Sequence, residues 1–123
     1  MTSEARRDLP ERTFQFALRI VALCQSLDEK PGVARVLAKQ ILRSGTSIGA
    51  NVEEGQAAQS EADFLTKYSI ACKEARETHY WLRLLSAAEV VAEQRLRELT
   101  QECNELVAIL TASVKKLKER RHA

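Results

Sequence analysis

Chain breakers are scarce in this sequence. Its 123 residues contain two prolines, Pro10 and Pro31, and four glycines, three of them within residues 43–55. So few turn formers exclude a fold of many short strands and leave room for long helices. Long apolar runs are missing as well. The longest resemble Ile20-Val-Ala-Leu-Cys24, far short of a membrane span. The opening MTSEARRDLPER carries charge where a secretory signal would be apolar. Cys24, Cys72 and Cys103 stand far apart without metal-ligand spacing. They read as buried thiols of a cytoplasmic protein.

Histidine is nearly absent too. With only His79 and His122, no Ser/His/Asp or Cys/His triad can be assembled, and His79 reads as a helix-surface or core-edge residue. A ferritin-like di-iron bundle needs two Glu-x-x-His motifs, and the position three before His79 is Arg76. The glycine-rich stretch has no Gly-Lys-Ser/Thr, which excludes a P-loop. No metal ligand and no cofactor is therefore expected.

The composition that remains, 45% apolar and 29% charged, suits one globular domain over residues 1–123. Four apolar periods run through it. Phe16, Ile20, Leu23 and Leu27 form one stripe, and Phe14, Ala17, Val21 and Cys24 a second stripe beside it. Two stripes on one helix imply contact with a surface beyond its own bundle, hence a homo-oligomer. Val33, Leu37, Ile41, Ser44, Ile48 and Val52 mark the next helix, which Gly55 is expected to cap. Phe64, Tyr68, Ala71, Ala75, Thr78, Leu82 and Leu85 follow, opened by a capping-box-like Ser60-Glu-Ala-Asp63. Leu96, Leu99, Cys103, Leu106, Leu110, Val114 and Leu117 close the series. The expectation is an all-α, antiparallel up-and-down four-helix bundle with helices near 11–29, 32–54, 60–87 and 92–119.

The stretch RSGTSIGANVEEG, residues 43–55, keeps the helical period despite its glycines. Ser44, Gly45, Ser47, Gly49 and Ala50 would let a second helix approach closely.

Charge is unevenly spread. The net charge is +2, yet residues 115–123 hold Lys115, Lys116, Lys118, Arg120 and Arg121 against Glu119 alone. Arg35, Lys39 and Arg43 recur every fourth residue, a basic ridge on the second helix. Together these eight cations are candidate phosphate contacts for RNA or DNA, above all if an assembly repeats them. A solvated helix face, with cations near the negative end of the helix dipole, accounts for part of the same pattern. Tyr80 and Trp81 can stack on bases or serve core and subunit contacts. A different class of function rests on carboxylates. Glu74 and Glu77, with Glu102 and Glu105, are i, i+3 pairs of the kind that all-α nucleotide pyrophosphohydrolases use to bind Mg²⁺, although Lys73 and Arg76 oppose a cation there.

Gln40-Ile-Leu-Arg43-Ser44, then Ser47-Ile48, then Asn51-x-x-Glu54-Gly55 resembles the signature of the four-helix-bundle protein family, whose members are also called 23S rRNA intervening-sequence proteins. Phe64, Ile70-Ala71, Glu77-Thr78 and Trp81-Leu82 extend the resemblance over about residues 12–118. Cys72-Lys73-Glu74 departs from the Gly-Ser pair of many relatives. The resemblance implies a homopentameric ring without enzymatic activity. Accessory proteins of diversity-generating retroelements are similar, which implies nucleic acid and a reverse transcriptase as partners. From the residues themselves, Arg43, Ser47, Asn51 and Glu54 form one polar strip, suited to a satisfied interhelical network or to direct ligand contact. A protein–protein adaptor with no nucleic-acid role is the bland alternative.

Overall fold

The computed structural model describes residues 8–122. Within them run four helices: α1 (Leu9–Asp28), α2 (Val33–Gln56), α3 (Glu61–Ala87) and α4 (Glu93–Arg121). All four expected helices are present, with ends within two residues of the expected ones. Pro10 lies in the first turn of α1, where its missing N–H costs nothing. Ser60 caps α3 by accepting from the Asp63 backbone N–H at 3.0 Å, half of the expected capping box.

Successive helices run antiparallel. Gly45 meets Ile20 while Gly49 meets Thr13, so α2 descends where α1 rises. Arg43 reaches Glu74 and Gln56 reaches Tyr68 across α2 and α3. Cys103 lies against the Ala75 carbonyl and Arg120 against Glu61 across α3 and α4. The N-terminal end of α1 and the C-terminal end of α4 therefore share one end of the bundle. The α1–α4 seam is the weakest of the four and is bridged by Arg12, which forks onto Glu102 at 2.6 and 3.1 Å. That carboxylate raises the Arg12 pKa and holds the guanidinium charged.

The core is mainly aliphatic around Phe16, with Leu9, Ile20, Ile41, Ile48, Val52, Leu82, Leu85, Leu106 and Leu110 also sealed from solvent. Burial departs from the expected stripes at two places. Val33 is exposed, and Ala34 and Ala38 are buried instead. Each step of four residues overshoots a turn by about 40°, so two such steps back from Ile41 carry Val33 out to solvent. On α1, Cys24 turns inward while Phe14, Leu18 and Val21 stay exposed.

Gly55 does not cap α2. It lies within the helix, and a Cβ there would meet the Tyr68 ring at 2.8 Å. Its role is close approach, and Ala57 ends the helix. Gly49 answers to the same need, since a Cβ would stand 3.2 Å from the Thr13 carbonyl oxygen. Of the small residues expected at this contact, Ser44, Gly45 and Gly49 are buried, whereas Ala50 faces solvent.

A Schellman turn closes α3: the Val90 N–H reaches the Leu85 carbonyl at 2.9 Å and the Glu89 N–H the Ser86 carbonyl at 3.0 Å. Glu89 holds the left-handed conformation at φ 58°, a place usually given to glycine.

Candidate nucleic-acid interface

The cationic residues singled out in the sequence fall into two groups at opposite ends of the bundle. Arg35 and Lys39 lie near the start of α2, whereas Lys115–Arg121 end α4 beside the start of α3. At 1.5 Å per residue, the separation along the axis is roughly 30 Å. Among the described residues, the cations singled out in the sequence therefore form two basic zones and no continuous surface.

The first zone is largely neutralised. Arg35 donates from Nε and Nη2 to the Asp28 carbonyl at 3.1 and 2.9 Å and lies 3.5 Å from the Asp28 carboxylate. Arg43 turns toward α3, donating to Glu74 at 3.1 Å and to Glu77. Lys39 is exposed and has no ion-pair partner among the described residues.

The second zone keeps its charge. Lys115, Lys116, Lys118, Arg120 and Arg121 are all exposed, and among the described residues only Arg120 of this group has a carboxylate partner, Glu61 at 3.0 Å. Leu117 is buried and anchors the segment to the core, so the five cations are displayed on a fixed helix end. They also stand in the last turns of α4, where the helix dipole favours positive charge.

The signature residues are mostly structural. Ile48 is core, and the Ser44 and Thr78 hydroxyls meet at 2.9 Å in the α2–α3 contact. Asn51 donates from Nδ2 to the Ser47 carbonyl at 2.9 Å and to its hydroxyl at 3.0 Å. Glu54 lies 3.7 Å from Lys67, Gly55 makes the close approach, and Gln40 is exposed. Of the polar strip, Arg43 reaches Glu74 and Glu77, Asn51 bonds Ser47, and Glu54 lies by Lys67, so the four residues are partnered in three separate contacts rather than in one network.

The carboxylate pairs do not converge. Glu74 and Glu77 share Arg43 on the α2 side, and Trp81 donates from Nε1 to Glu77 at 3.0 Å. Glu102 and Glu105 share Arg12 on the α1 side. Each pair holds a guanidinium where a cation would bind, and among the described residues no cluster of acidic, His or Cys side chains could hold a metal ion. The cysteines are buried and free, and burial pushes the thiols of Cys24 and Cys103 up to about 11 and about 12, so neither is a nucleophile at neutral pH. No described helix is long and apolar enough to cross a membrane.

One surface was legible only in part in the sequence, and a second was missed. Leu18 joins Phe14 and Val21 in an exposed apolar band on α1, with Leu42 of α2 exposed nearby. A groove of about 550 Å³ also opens between α3 and α4, where His79 and Arg83 face Arg97, Gln101 and Asn104. The spacing of four and three between the last three residues was the signal for it.

Comparison with known proteins bears on all of this. The family model described as 23S rRNA-intervening sequence protein matches residues 8–112, which stops short of the basic segment. A solved structure, that of a protein with unknown function from the S23 ribosomal protein family of Bacteroides thetaiotaomicron VPI-5482, is 41% identical with a TM-score of 0.80; the match covers 87% of this chain and 98% of that one. No curated protein matches the chain.

Proposed function

This chain belongs to the 23S rRNA-intervening sequence protein family, and from that premise we propose that it is a non-enzymatic, cytoplasmic scaffold whose homo-oligomer binds RNA or DNA through repeated cationic surfaces. The observation that carries the reading is the end of α4, where Lys115, Lys116, Lys118 and Arg121 are exposed without a carboxylate partner among the described residues. A single subunit at net charge +2 binds a polyanion weakly. A closed ring repeats the cationic end in every subunit, and a strand crossing several of them releases counterions at each. Lys39, exposed at the far end, adds a secondary contact, while Arg35 and Arg43 contribute little because their charges are already matched. The family description refers to 23S rRNA, in keeping with a polyanionic partner.

Assembly is part of the proposal. The band of Phe14, Leu18 and Val21 is the surface on which copies of the chain meet, in a homopentamer if the resemblance extends that far. The same band favours the adaptor reading, in which it receives a different protein, a reverse transcriptase among them.

Filter binding of single- and double-stranded oligonucleotides decides between the two. Because Leu117 belongs to the core, the informative variant replaces Lys115, Lys116, Lys118, Arg120 and Arg121 by glutamine and leaves the helix whole. The scaffold reading expects the intact assembly to retain both probes at about 50 mM salt and the variant to lose them. Equal retention by the two proteins overturns the α4 end as the contact, and no retention by either leaves the adaptor as the better account.

A further inference from the structure

We infer that the groove between the second half of α3 and the first half of α4 is a binding site for a nucleoside phosphate, either free or as an unpaired unit of a strand. Its volume of about 550 Å³ lies within the range of small-ligand sites. Its lining is mostly apolar, over the buried Leu82 and Leu96. Its rim is cationic at one end and carries amides toward the other. That sequence of surfaces matches the parts of a nucleotide, a flat ring with polar edges joined to an anion.

The cationic end is built by Arg83 of α3 and Arg97 of α4. Arg97 is held by Glu93 through contacts of 2.7 and 3.2 Å, whereas Arg83 has no ion-pair partner among the described residues. Arg83 is therefore the residue that meets the phosphate, and its planar fork suits bidentate contact. Gln101 and Asn104 stand four and seven residues beyond Arg97 on the same helix face, a rise of roughly 6 and 10 Å. Each amide offers both donors and an acceptor to a base edge, at about the reach of one nucleotide from its phosphate. The mostly apolar lining between them takes the ring.

His79 sits one turn before Arg83 and lines the same groove. Burial, and then the charge of Arg83, lower its pKa from the usual 6.5. The charged groups facing it are Arg83 on its own helix and the closed Arg97–Glu93 pair on α4, so positive charge is left uncompensated there. A phosphate beside Arg83 reverses the sign of that field and raises the His79 pKa. The groove lies at the end of the bundle away from Lys115–Arg121, so the inference does not rest on the proposed role of that segment.

With only two histidines in the chain, imidazole resonances of the full-length assembly are a direct reporter. Titration of the glutamine variant of the α4 end with adenosine and uridine monophosphates is expected to shift His79 and raise its pKa while His122 stays still. Arg83→Ala, at an exposed position, is expected to weaken the response about tenfold or more. Inorganic phosphate alone is expected to bind more weakly than either nucleotide, because it leaves the apolar lining and amides unused. A single-stranded octanucleotide, tested on the glutamine variant of the α4 end, distinguishes the sources: tighter binding than the monophosphate assigns the groove to a strand, weaker binding to a free nucleotide. No His79 response up to about 10 mM nucleotide, an unchanged response in Arg83→Ala, or phosphate binding as tightly as nucleotide overturns the inference. None of these outcomes depends on whether the α4 end binds nucleic acid.

Discussion

Gly49 of α2 lies against the backbone of Thr13 in α1, so closely that a Cβ at position 49 would stand 3.2 Å from the Thr13 carbonyl oxygen and 3.3 Å from its carbonyl carbon. Backbone cannot swing aside as a side-chain tip can, so the two helices must separate to admit any side chain. Gly49→Ala is expected to lower stability by about 1–3 kcal/mol, although alanine gains roughly 1 kcal/mol in helix propensity. Gly49→Leu is expected to cost more. Urea unfolding followed by circular dichroism measures both, and a Gly49→Ala protein as stable as the parent refutes the close-approach account.

Glycine gave the clearest sequence signal and also the clearest misreading. The period of apolar residues through Arg43–Gly55 marked a helix correctly, because Ile48 and Val52 recur on the face of Ile41. Gly55 at the end of that period carries the same letter as a cap, and one dimension does not distinguish a helix end from a tight crossing. Tyr68, which makes the crossing tight, lies thirteen residues away on another helix. Cationic spacing misled for a related reason. Arg35, Lys39 and Arg43 do share a side of α2, but the partners of the two arginines, Asp28 for Arg35 and Glu74 and Glu77 for Arg43, come from other helices and only the fold brings them close. The carboxylate pairs were legible as pairs, while the guanidinium that each one holds was not. Leu117 was legible as core and the five cations around it as surface, because both follow from position on a single helix.

The turn after α3 offers a stabilising change. Glu89 occupies the left-handed position of a Schellman turn, with φ 58°, where its Cβ crowds the following carbonyl. Glu89→Gly is expected to raise stability by up to about 1 kcal/mol, visible as a higher urea midpoint with unchanged slope. A loss of stability would mean that the Glu89 side chain contributes something its backbone conformation hides.

The Arg43 cluster is a test of buried charge. Glu74 is only 7% exposed, and Arg43 is the cation that accompanies it. Arg43→Met leaves Glu74 and Glu77 facing each other one turn apart, and is expected to cost about 2 kcal/mol or more. Adding Glu74→Gln removes the stranded charge and is expected to recover at least half of that loss. A double variant no more stable than Arg43→Met alone contradicts this reading and returns Arg43 to the set of free cations.

Phe14 and Leu18 are about half exposed on one side of α1. If copies of the chain meet there, Phe14→Glu with Leu18→Glu yields the 13.8 kDa monomer in sedimentation equilibrium without loss of helicity. The parent is expected to sediment as a multiple of that mass, five subunits in a pentamer. A parent that is itself monomeric at micromolar concentration removes the assembly from the account.

The salt dependence of nucleic-acid affinity tests the central claim most directly. Each displaced counterion adds to the slope of log K against log salt, at about 0.9 per phosphate contact on a duplex. The account predicts a steep fall for the assembled parent and a markedly flatter line when Lys115, Lys116, Lys118, Arg120 and Arg121 are all glutamine. Two lines of the same slope, or no binding by the parent at about 50 mM salt, would contradict it.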